Sequence, residues 1–511
     1  MESFYAVVSA GGVESRIRPE KANVTHKIGG KHMINWVIDA VKEAGASKII
    51  VAGGQNSEQI DSYPSEDLTI TSGSGIIEVE HGLIQAASFF EDKKGSCLFI
   101  CANKPLVTSK TINKLFVSHC NGKNAMTILV SDQTQMPDKS FNLCNLDETN
   151  ESKKMYLEQL KKAIKESDIL FIEFEWLERA IKVLYARNNK DIDNKNSDAR
   201  ELNGKDMINQ DSDNQSHNNL DWNKKNQMDQ NWNNQKQKSY NISKEAFIES
   251  AITEILNNKG TIGIDTPDSA DECFCVNDRI DLNHAQKIAN NRIIERHIKN
   301  GVTFLNPENC IVEDSVAIGY NTLIYPGTIL EGSTSIKENC VIGPNTSLKN
   351  VCTGNRVTIT NSVVIDSFVD DDTKVGPFAY LRPGSRIGKN VKIGDFVEIK
   401  KSSVGDDTKI SHLTYVGDAE IGKNVNMGCG VVVVNYDGQH KNKTIVGDNS
   451  FIGCNVNLVS PVEVKPNAFI AAGSTITEDV PEYSLAIARS RQTIINDWVI
   501  KKGKVRGTKV D

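Results

Sequence analysis

The chain has 511 residues, too many for one hydrophobic core, so two or three domains are expected. A formal net charge of −7 supplies no global basic field and argues against nucleic acid as a partner. No apolar run approaches the ~18 residues of a membrane span, and eleven cysteines without a CxxC pair read as reduced thiols, not a disulfide framework.

The N-terminus, Met1-Glu2-Ser3-Phe4-Tyr5, has no basic segment before an apolar stretch, so a secretory signal is not expected and a cytoplasmic location is. Ser3 to Val8 reads as an apolar strand and Ser9-Ala10-Gly11-Gly12 as a small-residue turn. His32 to Glu43 carries helical spacing through Met33, Trp36, Val37, Ala40 and Val41, with Gly45 as its stop and Lys48 to Ala52 as the next strand. Cys97 to Cys101 and Ala125 to Val130 are further strands, and this alternation predicts a parallel, doubly wound sheet. Between about residues 188 and 239 the chain turns Asn- and Gln-rich, without period or aliphatic content. Such a segment buries too little apolar surface to offset its ordering entropy, which predicts a disordered insertion. Ser243 to Leu256 then reads as a helix, and Asp281 to Asn300 as a connecting helix.

From Ile311 onward an aliphatic residue recurs at every sixth position. Val312, Ile318, Ile324, Leu330, Ile336, Ile342 and Leu348 form one row; Val375, Leu381, Ile387, Ile393 and Ile399 form a second after an interruption. Neither a helix nor an ordinary strand has this period. A solenoid with three short faces per coil does, each aliphatic stacking on its equivalents above and below.

Four strings in this region are more specific than the period. They are Gly376-Pro377-Phe378-Ala379-Tyr380-Leu381-Arg382-Pro383-Gly384, Gly394-Asp395-Phe396-Val397-Glu398-Ile399-Lys400-Lys401, Ser411-His412-Leu413-Thr414-Tyr415-Val416-Gly417-Asp418-Ala419-Glu420-Ile421-Gly422, and Asn435-Tyr436-Asp437-Gly438. Together they closely resemble the acetyltransferase half of the bacterial family of bifunctional N-acetylglucosamine-1-phosphate uridyltransferase/glucosamine-1-phosphate acetyltransferases. The resemblance implies an α/β nucleotidyltransferase-type (Rossmann-like) N-terminal domain followed by a left-handed parallel β-helix of hexapeptide repeats. It places the nucleotidyltransferase-like domain at residues 1–280, a connecting helix at 281–301, the acetyltransferase at 302–492 and a basic tail at 493–511. It implies His412 as the general base that takes a proton from the attacking amine. Arg382 and Lys400 would bind the sugar phosphate, with Tyr415, Asn426 and Lys441 at further sugar positions. Acetyl-CoA, the co-substrate, would meet Cys429, Asn435, Tyr436, Cys454, Ala472 and Arg489. Cysteine replaces the family's usual small residue at Cys429 and Cys454, which need not disturb a backbone N–H that polarises the thioester. The family's trimeric assembly, with sites between neighbouring subunits, is likewise implied, and no membrane or nucleic-acid partner is.

The N-terminal half departs from the family pattern. The loop Val8-Ser9-Ala10-Gly11-Gly12-Val13-Glu14-Ser15-Arg16 keeps Ala10 and Gly11 at nucleotide-binding positions but has Val13 for the second glycine, and Glu14 adds charge where triphosphate approaches. The family's Pro-Lys aligns with Ala22-Asn23, so Asn23 stands for a phosphate-binding lysine, and Glu78-Val79-Glu80-His81-Gly82 replaces Gly-Thr-Gly-His-Ala. The metal positions are Asn103, in place of the family's aspartate, and Asn277. Magnesium prefers anionic oxygen ligands, so it is expected only if the uridyltransferase site works.

Three readings follow: an acetyltransferase with a degenerate uridyltransferase site, a fully bifunctional enzyme, and a non-catalytic trimeric scaffold. Zinc chemistry on the solenoid is disfavoured, since only His412 and His440 follow His297. The tail residues Lys501, Lys502, Lys504, Arg506 and Lys509 suit an interface, CoA phosphates or a plain solvated end.

Overall fold

The computed structural model describes residues 3–10, 23–53, 68–72, 94–131, 140–141, 158, 168–184 and 244–504. Gly11, Val13, Glu14, Ala22, the 78–82 string and the Asn-rich segment lie outside them. Two compact units divide the chain, Met1–Ala289 and Asn290–Asp511.

In the first unit, β1 (Phe4–Ser9), β2 (Ala46–Gly53), β3 (Leu68–Ser72), β4 (Ser96–Cys101), β5 (Met126–Leu129), β6 (Ser140–Phe141), β7 (Ile169–Glu173) and β8 (Ile262–Asp265) form one sheet in the order β3-β2-β1-β4-β7-β5-β8-β6. The strands through β4 are parallel, as the strand–helix alternation predicts. β7 instead runs antiparallel to both β4 and β5, and β6 antiparallel to β8, so the sheet is mixed. No alternation signals this reversal, because β7 is apolar on both faces like the parallel strands of the sheet. Successive side chains of β1 enter opposite cores: Val7 packs on one face, Phe4, Ala6 and Val8 on the other. Helix α1 (Met33–Glu43) buries Ile34, Val37, Ile38 and Val41 against the second face, while α2 (Ser109–Gly122) starts where the Thr108 side chain accepts from the Thr111 N–H. α3 is Lys244–Asn257 and α4 is Arg279–Lys299. Helix α4 serves both units. Ala285 and Ala289 pack with Ile28, Met33, Leu106 and Val276 in the first. In the second, the Asn290 amide donates to Cys310 O (2.9 Å) and accepts from Val312 N (3.0 Å), closing off the first coil.

The second unit is a left-handed parallel β-helix with three sheets of eleven, ten and nine short strands. Val312 pairs through Leu330 with Leu348 in the ten-stranded sheet, Ile324 with Ile342 in the eleven-stranded sheet, and Ile318 with Ile336 in the nine-stranded sheet. Each is a buried rung or its partner, contributing about 1.5–3 kcal/mol per fully buried aliphatic. The interruption between Leu348 and Val375 is a change of spacing and not a break. The inward row passes through Thr353, Ile359, Val364 and Val369, with some faces one residue shorter. Corners need left-handed backbone, and asparagine tolerates it: Asn321, Asn339, Asn345 and Asn350 all have φ between 48° and 59°. From Val433 to the next inward residue, Val446, thirteen positions replace the usual six, so the segment after Asn435 leaves the coil.

Candidate active site

Two columns of side chains rise through the β-helix, and ladder register fixes each. Asp395 and His412 are direct partners in the eleven-stranded sheet, and Ile410, Met427, Ile452 and Ile470 continue that ladder. Two residues beyond each rung, His412, Cys429, Cys454 and Ala472 therefore stack on one corner. The Asn455 N–H donates to Cys429 O and the Gly473 N–H to Cys454 O, both at 2.8 Å, which keeps the coils in step. Arg489 lies at the next level, where a Cβ on Gly473 would come 3.9 Å from its side chain. With coils about 4.8 Å apart, His412 and Ala472 stand roughly 14 Å apart along this corner. The Cys429 N–H donates to no group among the described residues.

His412 Nδ1 lies 2.5 Å from Asp395 Oδ1. This bond holds the Asp395 carboxyl below the usual carboxylate range, helped by its own backbone N–H. Sequence reasoning did not single out Asp395. The signal was present, since Asp395 precedes His412 by one coil length, but only an explicit ladder alignment exposes it.

The second column belongs to the ten-stranded sheet. Leu381, Ile399 and Val416 are rungs, so Arg382, Lys400 and Gly417 follow them in register, and Glu398 pairs with Tyr415 just before. Arg382 bonds Glu398 at 2.8 Å, using one of its five donors. The Lys441 side chain reaches back to Lys400; the ammonium of Lys441 beside it, then desolvation, push Lys400 below the usual lysine range. Gly417 keeps this place open, because a Cβ there would sit 2.5 Å from Tyr415 Oη and 2.8 Å from Asn435 Nδ2.

The same corner carries Asn435 one residue beyond this column, where its Nδ2 donates to Asp418 Oδ2 at 2.5 Å. Tyr436 donates from Oη to Gly438 O (2.6 Å), and Asp437 accepts from Gln439 N and His440 N at 2.8 and 2.7 Å, which shapes the protruding loop. Within one chain, then, His412, Cys429, Cys454, Ala472 and Arg489 come together, as do Arg382, Lys400, Tyr415 and Lys441. Asn435 and Tyr436 stand apart from the first group. Asn426 pairs with Lys409 and Phe451 on the eleven-stranded sheet, away from the cations.

In the first unit Ala10 is buried and its N–H donates to Ala52 O (2.8 Å). Asn23 opens a short 3-10 turn, Asn23–Thr25. Asn103 Nδ2 donates to Asn277 Oδ1 at 3.3 Å, so the two amides face each other. Asn103 Oδ1 is buried without a partner, and Lys104, fully buried, donates to Cys273 O (2.8 Å). Two neutral amide oxygens next to an interior lysine do not fit magnesium, which prefers near-octahedral oxygen ligation with carboxylates. Among the described residues no group of three or more His, Cys, Asp or Glu could hold a metal.

A MobA-like NTP transferase domain model matches residues 6–164, and a GMPPB C-terminal domain model matches residues 366–484. Along the whole chain, the bifunctional protein GlmU of Acetivibrio thermocellus is 44% identical over 510 residues, covering 100% of both chains. The chain belongs to the GlmU family. The bifunctional protein GlmU of Clostridium kluyveri is 39% identical over 98% of each chain. Among solved structures, a nucleotidyl transferase from Methanothermobacter thermautotroptrophicus covers 57% of this chain and 98% of its own, at 10% identity and a TM-score of 0.33. Membership of the GlmU family makes the protein a transferase with a nucleotidyltransferase-type domain ahead of the β-helix. No helix among the described residues is long and apolar enough to cross a membrane.

Proposed function

We propose that the β-helix transfers the acetyl group of acetyl-CoA to the amine of glucosamine 1-phosphate, for UDP-N-acetylglucosamine synthesis. The observation that carries this reading is the His412–Asp395 pair at the head of the Cys429, Cys454, Ala472 corner. His412 takes the amine proton as the nitrogen attacks the thioester carbon, and the free Cys429 N–H receives the developing oxyanion. The thioester carbon–sulfur bond breaks and the departing thiolate is reprotonated. Arg382, Lys400 and Lys441 hold the sugar phosphate, Arg382 through donors that Glu398 leaves open. CoA runs along the corner toward Arg489. Asn426, Asn435 and Tyr436 join the site from a neighbouring copy in a trimer, which suits their separation within one chain.

In the same reading the N-terminal domain retains the fold but not efficient uridyl transfer, because Asn103 and Asn277 offer no magnesium cage. End-to-end similarity to relatives named bifunctional favours the alternative, in which both transfers persist. For the acetyl step, His412→Ala is assayed by release of CoA thiol with glucosamine 1-phosphate. Removing a general base lowers kcat by about 10²–10⁴-fold, with melting unchanged. Release by the variant at the native rate would overturn the assignment.

A further inference from the structure

We propose that Asp395 is the positioning residue of the acetyl-transfer site: it holds the His412 proton on Nδ1 and so leaves Nε2 as the base. The inference rests on the acetyl-transfer reading, but its geometry is independent of substrate.

A neutral imidazole carries one proton and offers one lone pair, and only the nitrogen without the proton can accept another. His412 is just over half exposed, with its side chain 55% accessible, so packing alone does not choose the tautomer. Asp395 chooses it. Its oxygen lies 2.5 Å from Nδ1, and an ionised carboxylate can only accept, so Nδ1 must donate. The carboxyl is held below its usual range by this contact, which keeps it an acceptor through the neutral region. Among the described residues no hydrogen bond engages Nε2.

The backbone sets the contact and not side-chain chance. Asp395 and His412 are ladder partners, and the Leu413 N–H donates to Asp395 O at 2.9 Å. The residues before them, Gly394 and Ser411, touch so closely that a Cβ on Gly394 would fall 1.9 Å from Ser411 O. Coil spacing thus delivers the carboxylate to one ring nitrogen and withholds it from the other. In the transfer, the amine proton passes to Nε2 as the nitrogen–carbon bond forms, then to the thiolate released by carbon–sulfur cleavage. Asp395 exchanges no proton; it stabilises the imidazolium that forms between the two steps.

The test uses the full chain with ring-¹⁵N histidine, observed at alkaline pH, where the imidazole is neutral. His412→Gln assigns the resonance. Native protein should show the Nδ1–H tautomer at His412. Asp395→Leu should lose that signature and at least tenfold in kcat, with both KM values within twofold of native and melting unchanged. Asp395→Glu keeps a carboxylate that can only accept and should recover the tautomer together with part of kcat. Asp395→Leu with the native tautomer, or with native kcat, would overturn the proposal. A tautomer that follows Asp395 in a protein that transfers no acetyl group would support the positioning and sink the acetyl-transfer reading instead.

Discussion

Lys400 and Lys441 are both cationic and close, an arrangement that costs energy until an anion lies between them. Because Lys441 and desolvation push Lys400 downward, its ammonium deprotonates at lower pH than an ordinary lysine. Binding of the sugar phosphate should therefore weaken on the alkaline side before ordinary lysines titrate. Lys441→Met removes the neighbour, so the pH at which KM for glucosamine 1-phosphate begins to rise should move upward, even as KM increases overall. An alkaline limb that stays in place would show that Lys441 does not act on Lys400. The charges themselves were legible in the sequence, since Arg382 and Lys400 sit in specific strings and Lys441 follows shortly after another. Asp395 was not, because a carboxylate seventeen positions before a histidine has no meaning until the coil brings them together.

At the scale of the coil, small residues decide how closely rungs approach. Gly394→Ala forces a Cβ into Ser411 O and must push two coils apart or shift them. Overpacking of this kind costs about 1–3 kcal/mol. The same shift separates Asp395 from His412, so melting temperature and acetyl-transfer kcat should fall together; native values of both would show that the coils relax freely there. The six-residue period made the β-helix readable from sequence. The interruption after Leu348 was misleading because Thr353 stands in the inward row, and a threonine with shortened faces hides the period from a search for aliphatics. The reversal of β7 was equally hidden, since strands buried on both faces carry no direction in their composition.

For the whole molecule, the sequence foretold a domain boundary near residue 281 with a separate connecting helix. The chain divides into its two compact units between Ala289 and Asn290, inside α4 and within the stretch expected as the connecting helix. One helix supplies apolar residues to the first core and amide hydrogen bonds to the first coil, a double duty that periodicity cannot divide. The β-helix carries the groups proposed for acetyl transfer, whereas the described part of the nucleotidyltransferase-type unit has two facing amides, Asn103 and Asn277, beside the buried Lys104. On the proposed reading these halves differ in competence. Purified protein is incubated with glucosamine 1-phosphate, acetyl-CoA, UTP and magnesium, and the sugar products are identified by mass. N-acetylglucosamine 1-phosphate should accumulate without UDP-sugar, and Asn103→Asp with Asn23→Lys should restore uridyl transfer. Formation of UDP-N-acetylglucosamine by the native chain would contradict it.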